Sequence, residues 1–248
     1  AVEGQAVVRG HTLAALHRTF DEIGARADLR VVVVTGEGVA FCSGADMKAT
    51  PEDWSDTRGN PMGDLLGRLE RPITQSMAMQ EMMAGLFEKI HRLRQPVIAA
   101  VNGAAHGGGF ALALACDVRF AARSASFGAV FIKRGVSACD MGTSYFLPRL
   151  VGASRAAELM LTGRVFDAAE AERIGLERAL RTAREIAANS PLAVWMTKET
   201  MWQTIDAPSL RYALDLENRT QILCTATGDT NAAFAAFREG REPEWSPL

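Results

Sequence analysis

The segment Pro96-Val-Ile-Ala-Ala-Val-Asn-Gly-Ala-Ala-His-Gly-Gly-Gly-Phe-Ala-Leu-Ala-Leu-Ala-Cys-Asp117 decides how the chain is read, because it holds a strand, a turn and a helix start in one short run. Pro96 opens an apolar run that Asn102-Gly103 closes, and Phe110 to Cys116 resumes it as a buried helix. Between them Gly107-Gly108-Gly109 lets the backbone approach a ligand with no Cβ in the way. The N–H groups at a helix N-terminus attract negative charge. Such a turn can hold a phosphate or, paired with a second N–H from elsewhere, an oxygen that gains charge during a reaction.

Toward the N-terminus, Thr12 to Ala27 places Leu13, Leu16, Phe20 and Ile23 at helical spacing. Asp28-Leu29 then leads into Arg30-Val-Val-Val-Val-Thr-Gly36, which reads as a buried parallel strand. A second glycine-bearing turn, Ala40-Phe-Cys-Ser-Gly-Ala-Asp-Met-Lys48, follows directly, so two strands end in turns whose backbones can face one ligand. Ala49 to Pro72 is polar, is broken by Pro51, Gly59, Pro61 and Gly63, and reads as a long mobile loop of the kind that forms lids. Thr74 to Arg94 is predicted helical and presents Met77, Met79, Met82, Met83, Leu86, Phe87 and Ile90, a flexible surface suited to a core or to a variable acyl chain. Beyond the opening segment, Val118 to Ala122 and Ser126-Phe127-Gly128 repeat the strand signal, giving an α/β pattern. From Ser154 the chain is mainly helical, with Asn189-Ser190-Pro191 supplying a cap and a first-turn proline. The expected division is an α/β core over 1–150 and a helical region over 151–248.

Composition narrows the function. The 248 residues are 48% hydrophobic, enough for a large core, and the formal charge of −2 with both signs interspersed offers no basic face for nucleic acid. Cys42, Cys116, Cys139 and Cys224 lack paired-ligand spacing, so free thiols are expected in place of disulfides or zinc, and no metal site is expected. No stretch approaches the roughly 20 apolar residues of a membrane span, and the expected location is the cytoplasm.

With both turns in hand, the sequence resembles the crotonase superfamily, the enoyl-CoA hydratase/isomerase fold, over nearly its whole length. The resemblance rests on Phe41-Cys-Ser-Gly-Ala-Asp-Met-Lys48, Val101-Asn-Gly-Ala-Ala-His-Gly-Gly-Gly109, Ala115-Cys-Asp117, Leu161-Thr-Gly163, Ala168 to Leu176, Asn189-Ser-Pro191 and Phe237-Arg-Glu-Gly-Arg-Glu-Pro243, in that order. It implies a repeated ββα spiral core with a helical C-terminal trimerisation region, a homotrimer or hexamer, and an acyl-CoA thioester as substrate, with CoA part of the substrate and no separate cofactor. It further implies that the N–H groups of Ala45 and Gly108 hold the thioester oxygen. Ala45, Asp46, Met47, Lys48, Gly107, Gly108 and Phe131 are the implied binding positions, and Lys48 and Arg241 are the cations within reach of the CoA phosphates.

The chain also departs from the family. Hydratases of this family place a glutamate two residues after the triple glycine and another twenty residues later; here Ala111 and Phe131 stand there, and neither transfers a proton. Asp140, in Gly135-Val-Ser-Ala-Cys-Asp-Met-Gly-Thr-Ser-Tyr145, is similar in placement to the aspartate that dienoyl-CoA isomerases, chlorobenzoyl-CoA dehalogenases and carbon–carbon hydrolases of the superfamily use. It reads as the catalytic acid or base, as a turn residue or cap for the following helix, or as both. His106 reads as a hydrogen-bonded turn residue or as an aid to the site, and Ser144 and Tyr145 as helix-start or substrate-contacting residues. Three functions follow as alternatives: isomerase-like or water-dependent chemistry through an enolate, carbon–carbon hydrolysis of a CoA ester, and acyl-CoA binding without turnover. Two junctions, Val7 to His11 and Gly175 to Glu177, look shortened against the family pattern.

Overall fold

The computed structural model describes residues 7–57, 60–176 and 182–248. They form two compact units: residues 7–23, 33–57, 60–93 and 97–176 make the first, and residues 24–32, 94–96 and 182–248 the second.

The chain enters helix α1 (Gly10–Ala25), whose Leu13, Ala14, His17 and Phe20 recur at three- and four-residue intervals and are buried. Strands β1 (Val32–Thr35) and β2 (Ala40–Cys42) follow. Helices α2 (Pro51–Ser55) and α3 (Pro61–Leu66) come next, where the sequence predicts a long loop. Both begin on proline, and Thr50 caps α2 in a reciprocal box with Asp53. Helices of five or six residues carry too few turns for a period to be read.

Helix α4 (Pro72–Arg92) buries Ala78, Met82, Leu86, Phe87 and Ile90, while Met77 remains 66% exposed. Strands β3 (Val97–Val101) and β4 (Ala104–His106) lead into α5 (Gly108–Ala115), seven of whose eight residues are buried. Strands β5 (Val118–Ala121) and β6 (Ser126–Gly128), a 3-10 helix over Val130–Arg134, and helices α6 (Thr143–Val151) and α7 (Ala153–Thr162) come after, then β7 (Phe166–Asp167) and α8 (Ala168–Arg173).

Successive strand pairs feed two sheets. The first member of each pair builds the sheet β1-β3-β5, and the second builds β2-β4-β6, which β7 extends. Strands β3 and β5 run parallel with Ile98 opposite Val118 and Val101 opposite Ala121. Strands β4 and β6 run parallel with Ala105 opposite Phe127. This is the expected repeat of two strands and a helix. Phe110, Phe127 and Phe166 interlock among α5, β6 and β7 with ring centroids 5.6–6.1 Å apart. The buried-strand expectation for Arg30 to Gly36 is corrected: β1 is an edge strand with alternating burial, and Val33 is 54% exposed.

Arg119 on β5 is buried, and its guanidinium donates to the carbonyls of Cys116 (2.7 Å), Leu114 (3.4 Å) and Ala113 (3.5 Å), closing the C-terminal end of α5.

The second unit holds α9 (Thr182–Ala187), α10 (Pro191–Thr204), α11 (Leu210–Thr225) and α12 (Asp229–Glu239). Ser190 caps α10, as its sequence predicts, and its hydroxyl also donates to Asp229 Oδ2 at 2.6 Å. The junction expected to be shortened at Glu177 lies outside the described residues.

Candidate functional site

Every residue of the site belongs to the first unit. It is built from the two glycine turns, and a backbone contact brings them together. A Cβ on Gly109 would lie 1.8 Å from the carbonyl oxygen of Cys42, so the first turn of α5 rests directly on the end of β2, at a spacing only glycine permits. One residue away, a Cβ on Gly44 would lie 3.0 Å from His106 O and 3.4 Å from Gly108 N. The turn after β2 and the turn before α5 therefore share one wall.

Two N–H groups are exposed to use by this packing. Gly108 is the first residue of α5, so its N–H has no acceptor within the helix. Ala45 is aimed by its neighbours: Val8 N–H donates to Gly44 O at 2.9 Å, and Asp46 N–H donates to Val8 O at 3.0 Å. The Gly44–Ala45 peptide is planar and trans, so fixing its carbonyl toward Val8 turns the Ala45 N–H the opposite way.

Asp46 holds the same turn from inside. Its Oδ1 accepts from Lys48 N–H at 2.9 Å, and its Oδ2 accepts from Arg9 Nε at 2.8 Å. The Lys48 N–H, and then Arg9, hold its carboxyl below the ordinary carboxylate range. Arg9 also reaches Asp53 Oδ1 at 3.2 Å and so ties the turn to α2. Asp46 is thus a structural anchor, while Met47, 69% exposed, and Lys48 stand on the surface beside it.

Gly44, Ala45 and Gly108 border a pocket that opens to solvent. Its other walls are apolar: Leu13 and Leu16 from α1, Trp54 from α2, Met83, Leu86 and Phe87 from α4, Leu112 from α5, and Met141. The one ionisable side chain in the lining is Cys42, whose thiol is pushed up by burial. The segment predicted as a lid therefore supplies Trp54 from a short capped helix.

Ala111 is fully buried. Phe131 is buried too, and its ring edge would lie 3.8 Å from a Cβ on Gly107, so it backs the glycine turn from outside the cavity lining. Asp140 also stands outside that lining, next to Met141, which is in it. Its Oδ1 accepts from Met141 N–H at 2.8 Å and from Gln80 Nε2 on α4. Of the turn-or-cap alternative, the turn is what its carboxylate makes, through the Met141 N–H; the cap position of α6 is Gly142, with no side-chain cap bond, and the Asp140 backbone carbonyl meets Thr143 N–H at 2.8 Å.

His106 bonds Ser126 Oγ at 3.1 Å, and burial lowers its pKa; this is the hydrogen-bonded turn histidine of the sequence reading. Tyr145 lies under the Arg149 guanidinium, 3.6 Å from its ring, and meets His91 of α4 edge-on with ring centroids 6.4 Å apart. Arg241, in the second unit, pairs with Glu239 at 2.6 Å. All four cysteines are free, and among the described residues no cluster of three His, Cys, Asp or Glu side chains is placed to hold a metal. Among the described residues no helix is long and apolar enough to cross a membrane. Nothing in the sequence marks Arg9, Gln80 or Met141 as members of the site. Trp54 had a legible signal, since Thr50 followed by Asp53 is a capping pattern.

Known proteins share this architecture. The enoyl-CoA hydratase/isomerase profile matches residues 62–247. A Mycobacterium tuberculosis protein named "Probable enoyl-CoA hydratase EchA12" is 39% identical over 243 residues, covering 93% of this chain and 81% of its own length. The "Mevalonyl-coenzyme A hydratase sidH" of Aspergillus fumigatus is 33% identical, covering 95% of this chain and 85% of its own. A crystal structure of a probable enoyl-CoA hydratase/isomerase from Mycobacterium abscessus superposes with a TM-score of 0.83 at 36% identity, covering 96% of this chain and 89% of that one. Matched in sequence over most of its length and in fold over nearly all of it, the chain belongs to the enoyl-CoA hydratase/isomerase family.

Proposed function

We propose that the chain is an enzyme acting on an acyl-CoA thioester, with the thioester oxygen held by the N–H groups of Ala45 and Gly108. The observation that carries this reading is the meeting of the two glycine turns on one apolar cavity. Two fixed backbone donors stabilise an oxygen most strongly as it gains charge, and apolar walls remove the water that would compete for them.

In the reaction we propose, a proton leaves the acyl carbon next to the carbonyl or its vinylogous position. The electron pair of that C–H bond moves onto the thioester oxygen, and the resulting enolate is reprotonated at another carbon. The prototype's two carboxylate positions hold Ala111 and Phe131, and the Cys42 thiol is kept protonated by burial. We assign the proton carrier to Asp140; its position next to Met141, which lines the pocket, supports this reading. One carboxylate that takes and returns a proton suffices for isomerase-like chemistry, and it can instead activate one water.

The same reading places the adenine along the Ala45 to Met47 backbone and the phosphates near Lys48, both on the surface side of the turn. It requires no separate cofactor, and it places the enzyme in the cytoplasm as an assembly of three or six copies. Incubating the protein with mixed enoyl-, dienoyl- and β-keto-acyl thioesters and weighing the products tests it: isomerisation keeps the mass, hydration adds one water, and hydrolytic cleavage adds one water and splits the acyl group. We expect Asp140→Asn to lower turnover by about 10²–10⁴-fold while CoA-thioester binding stays within a few-fold. Full activity in that variant removes Asp140 from the mechanism. Tight binding with no product from any thioester replaces the enzyme reading with a binding protein.

A further inference from the structure

Met141 has φ +48°, alone among the described non-glycine residues in taking the left-handed region, a conformation methionine seldom adopts. The backbone is held there from both sides: Asp140 Oδ1 accepts the Met141 N–H at 2.8 Å, and Gly142 follows in the same region at φ +79°. The result is directional. Asp140 is left outside the cavity lining, and the Met141 thioether is delivered into it. There Sδ lies 3.4 Å and Cε 3.9 Å from the point a Cβ on Gly108 would occupy. The sulfur thus covers the open side of Gly108, the residue whose N–H is the proposed oxygen donor.

We propose that Met141 is a specificity-determining residue that excludes acyl groups branched at the carbon next to the thioester carbonyl. The proposal rests on the placement of the thioester oxygen at Ala45 and Gly108. With the oxygen within hydrogen-bonding reach of Gly108 N, the carbonyl carbon is one bond away and the α-carbon two, beside the thioether. An unbranched α-carbon presents only hydrogens to it, whereas an α-methyl group needs the space the sulfur fills. Gly44 and Ala45 border the same space, and Gly44 Cα, 3.9 Å from the point a Cβ on Gly108 would occupy, is a backbone atom that cannot move aside as a side chain does. Methionine is unbranched and yields more readily than a stiff side chain, so the discrimination is graded.

The test uses two thioesters that cannot react, butanoyl-CoA and 2-methylbutanoyl-CoA, with dissociation constants measured by calorimetry on the full chain. The wild-type protein is expected to bind butanoyl-CoA more tightly. Met141→Ala is expected to shrink the ratio of the two constants by about 10-fold, the lower range for one carbon in an apolar pocket. Met141→Leu, which keeps the volume, is expected to hold the ratio within about threefold of wild type. An unchanged ratio in Met141→Ala overturns the inference, and so does a Leu variant that shifts the ratio as far as Ala does. Should Met141→Ala fail to fold, Met141→Cys shortens the side chain and is read by the same criterion. Selective butanoyl-CoA binding without turnover of any reactive thioester overturns the catalytic reading and leaves this inference standing. Binding of neither thioester by the wild-type protein overturns both.

Discussion

A methyl group at Gly109 would sit 1.8 Å from Cys42 O, a backbone atom with nowhere to go, but at Gly108 it would make ordinary contacts with the flexible Met141 sulfur at 3.4 Å and Gly44 Cα at 3.9 Å. Neighbouring glycines therefore separate folding from function. We expect Gly108→Ala to keep its stability within about 1 kcal/mol, because its φ is ordinary and Ala suits a helix start at least as well as Gly. Its kcat/KM should fall by at least about 10-fold, because the methyl points where the thioester must lie. Gly44→Ala is the contrast: φ there is +88° and its Cβ would lie 3.0 Å from His106 O, so about 1–3 kcal/mol of stability should be lost. Thermal melts and steady-state rates on both variants check the pair. At this scale the sequence was legible where a residue's chemistry depends on its own backbone, as in the two turns. It was not legible for Met141, because no side-chain property of methionine announces a left-handed φ imposed by Asp140 and Gly142. Nor was it for Arg119, since a buried cation is recognised only once the carbonyls that surround it are in place.

Strand β3 and helix α5 were readable because each is almost wholly buried, so apolar residues run unbroken and only glycine and proline punctuate them; β4, three half-buried or buried residues inside the turn, was not. Strand β1 looks the same in sequence yet lies at a sheet edge, and neighbours along a sheet are set by the rest of the chain. The α2–α3 stretch has no repeating apolar face to read; its one cue is the Thr50–Asp53 cap that, with Arg9, orders α2. Helices α11 and α12 pose a different question. No residue of α11 is buried, and Leu210, Ile222, Leu223, Phe234 and Phe237 are 58–85% exposed across the pair. Apolar surface of that density marks an interaction face, and further copies of the chain are the partner the family resemblance implies. Light scattering on the purified protein should give three or six times the 26.7 kDa of one chain. Charged substitutions at Phe234 and Phe237 should lower that mass, and a wild-type monomer would remove the assembly from the proposal.

Taken as a whole, the molecule should be sensitive to mild acid. His17 has its pKa lowered by burial, with Lys89 adding to the effect against Asp21 and the Met82 carbonyl it bonds at 2.8 Å, and burial also lowers that of His106. Both rings are neutral in the fold, so the unfolded chain takes up protons first as pH falls past about 6.5. Stability is then lost from that point down to the folded-state values and is fully present above it. Urea midpoints should drop between about pH 7.5 and pH 5.5, and a His17→Gln, His106→Gln double variant should flatten the decline over that window. A midpoint that does not move, or an equally steep fall in the double variant, would assign the sensitivity elsewhere.

The pairing of Val8 with Gly44 and Asp46 has a practical corollary. Two hydrogen bonds, one donated and one accepted by Val8 just ahead of α1, orient a peptide that follows β2. A protease cut between Val8 and α1 would leave the buried strands and helices intact and yet release that peptide to rotate. Loss of activity without loss of fold is the signature to look for in a chain cut there.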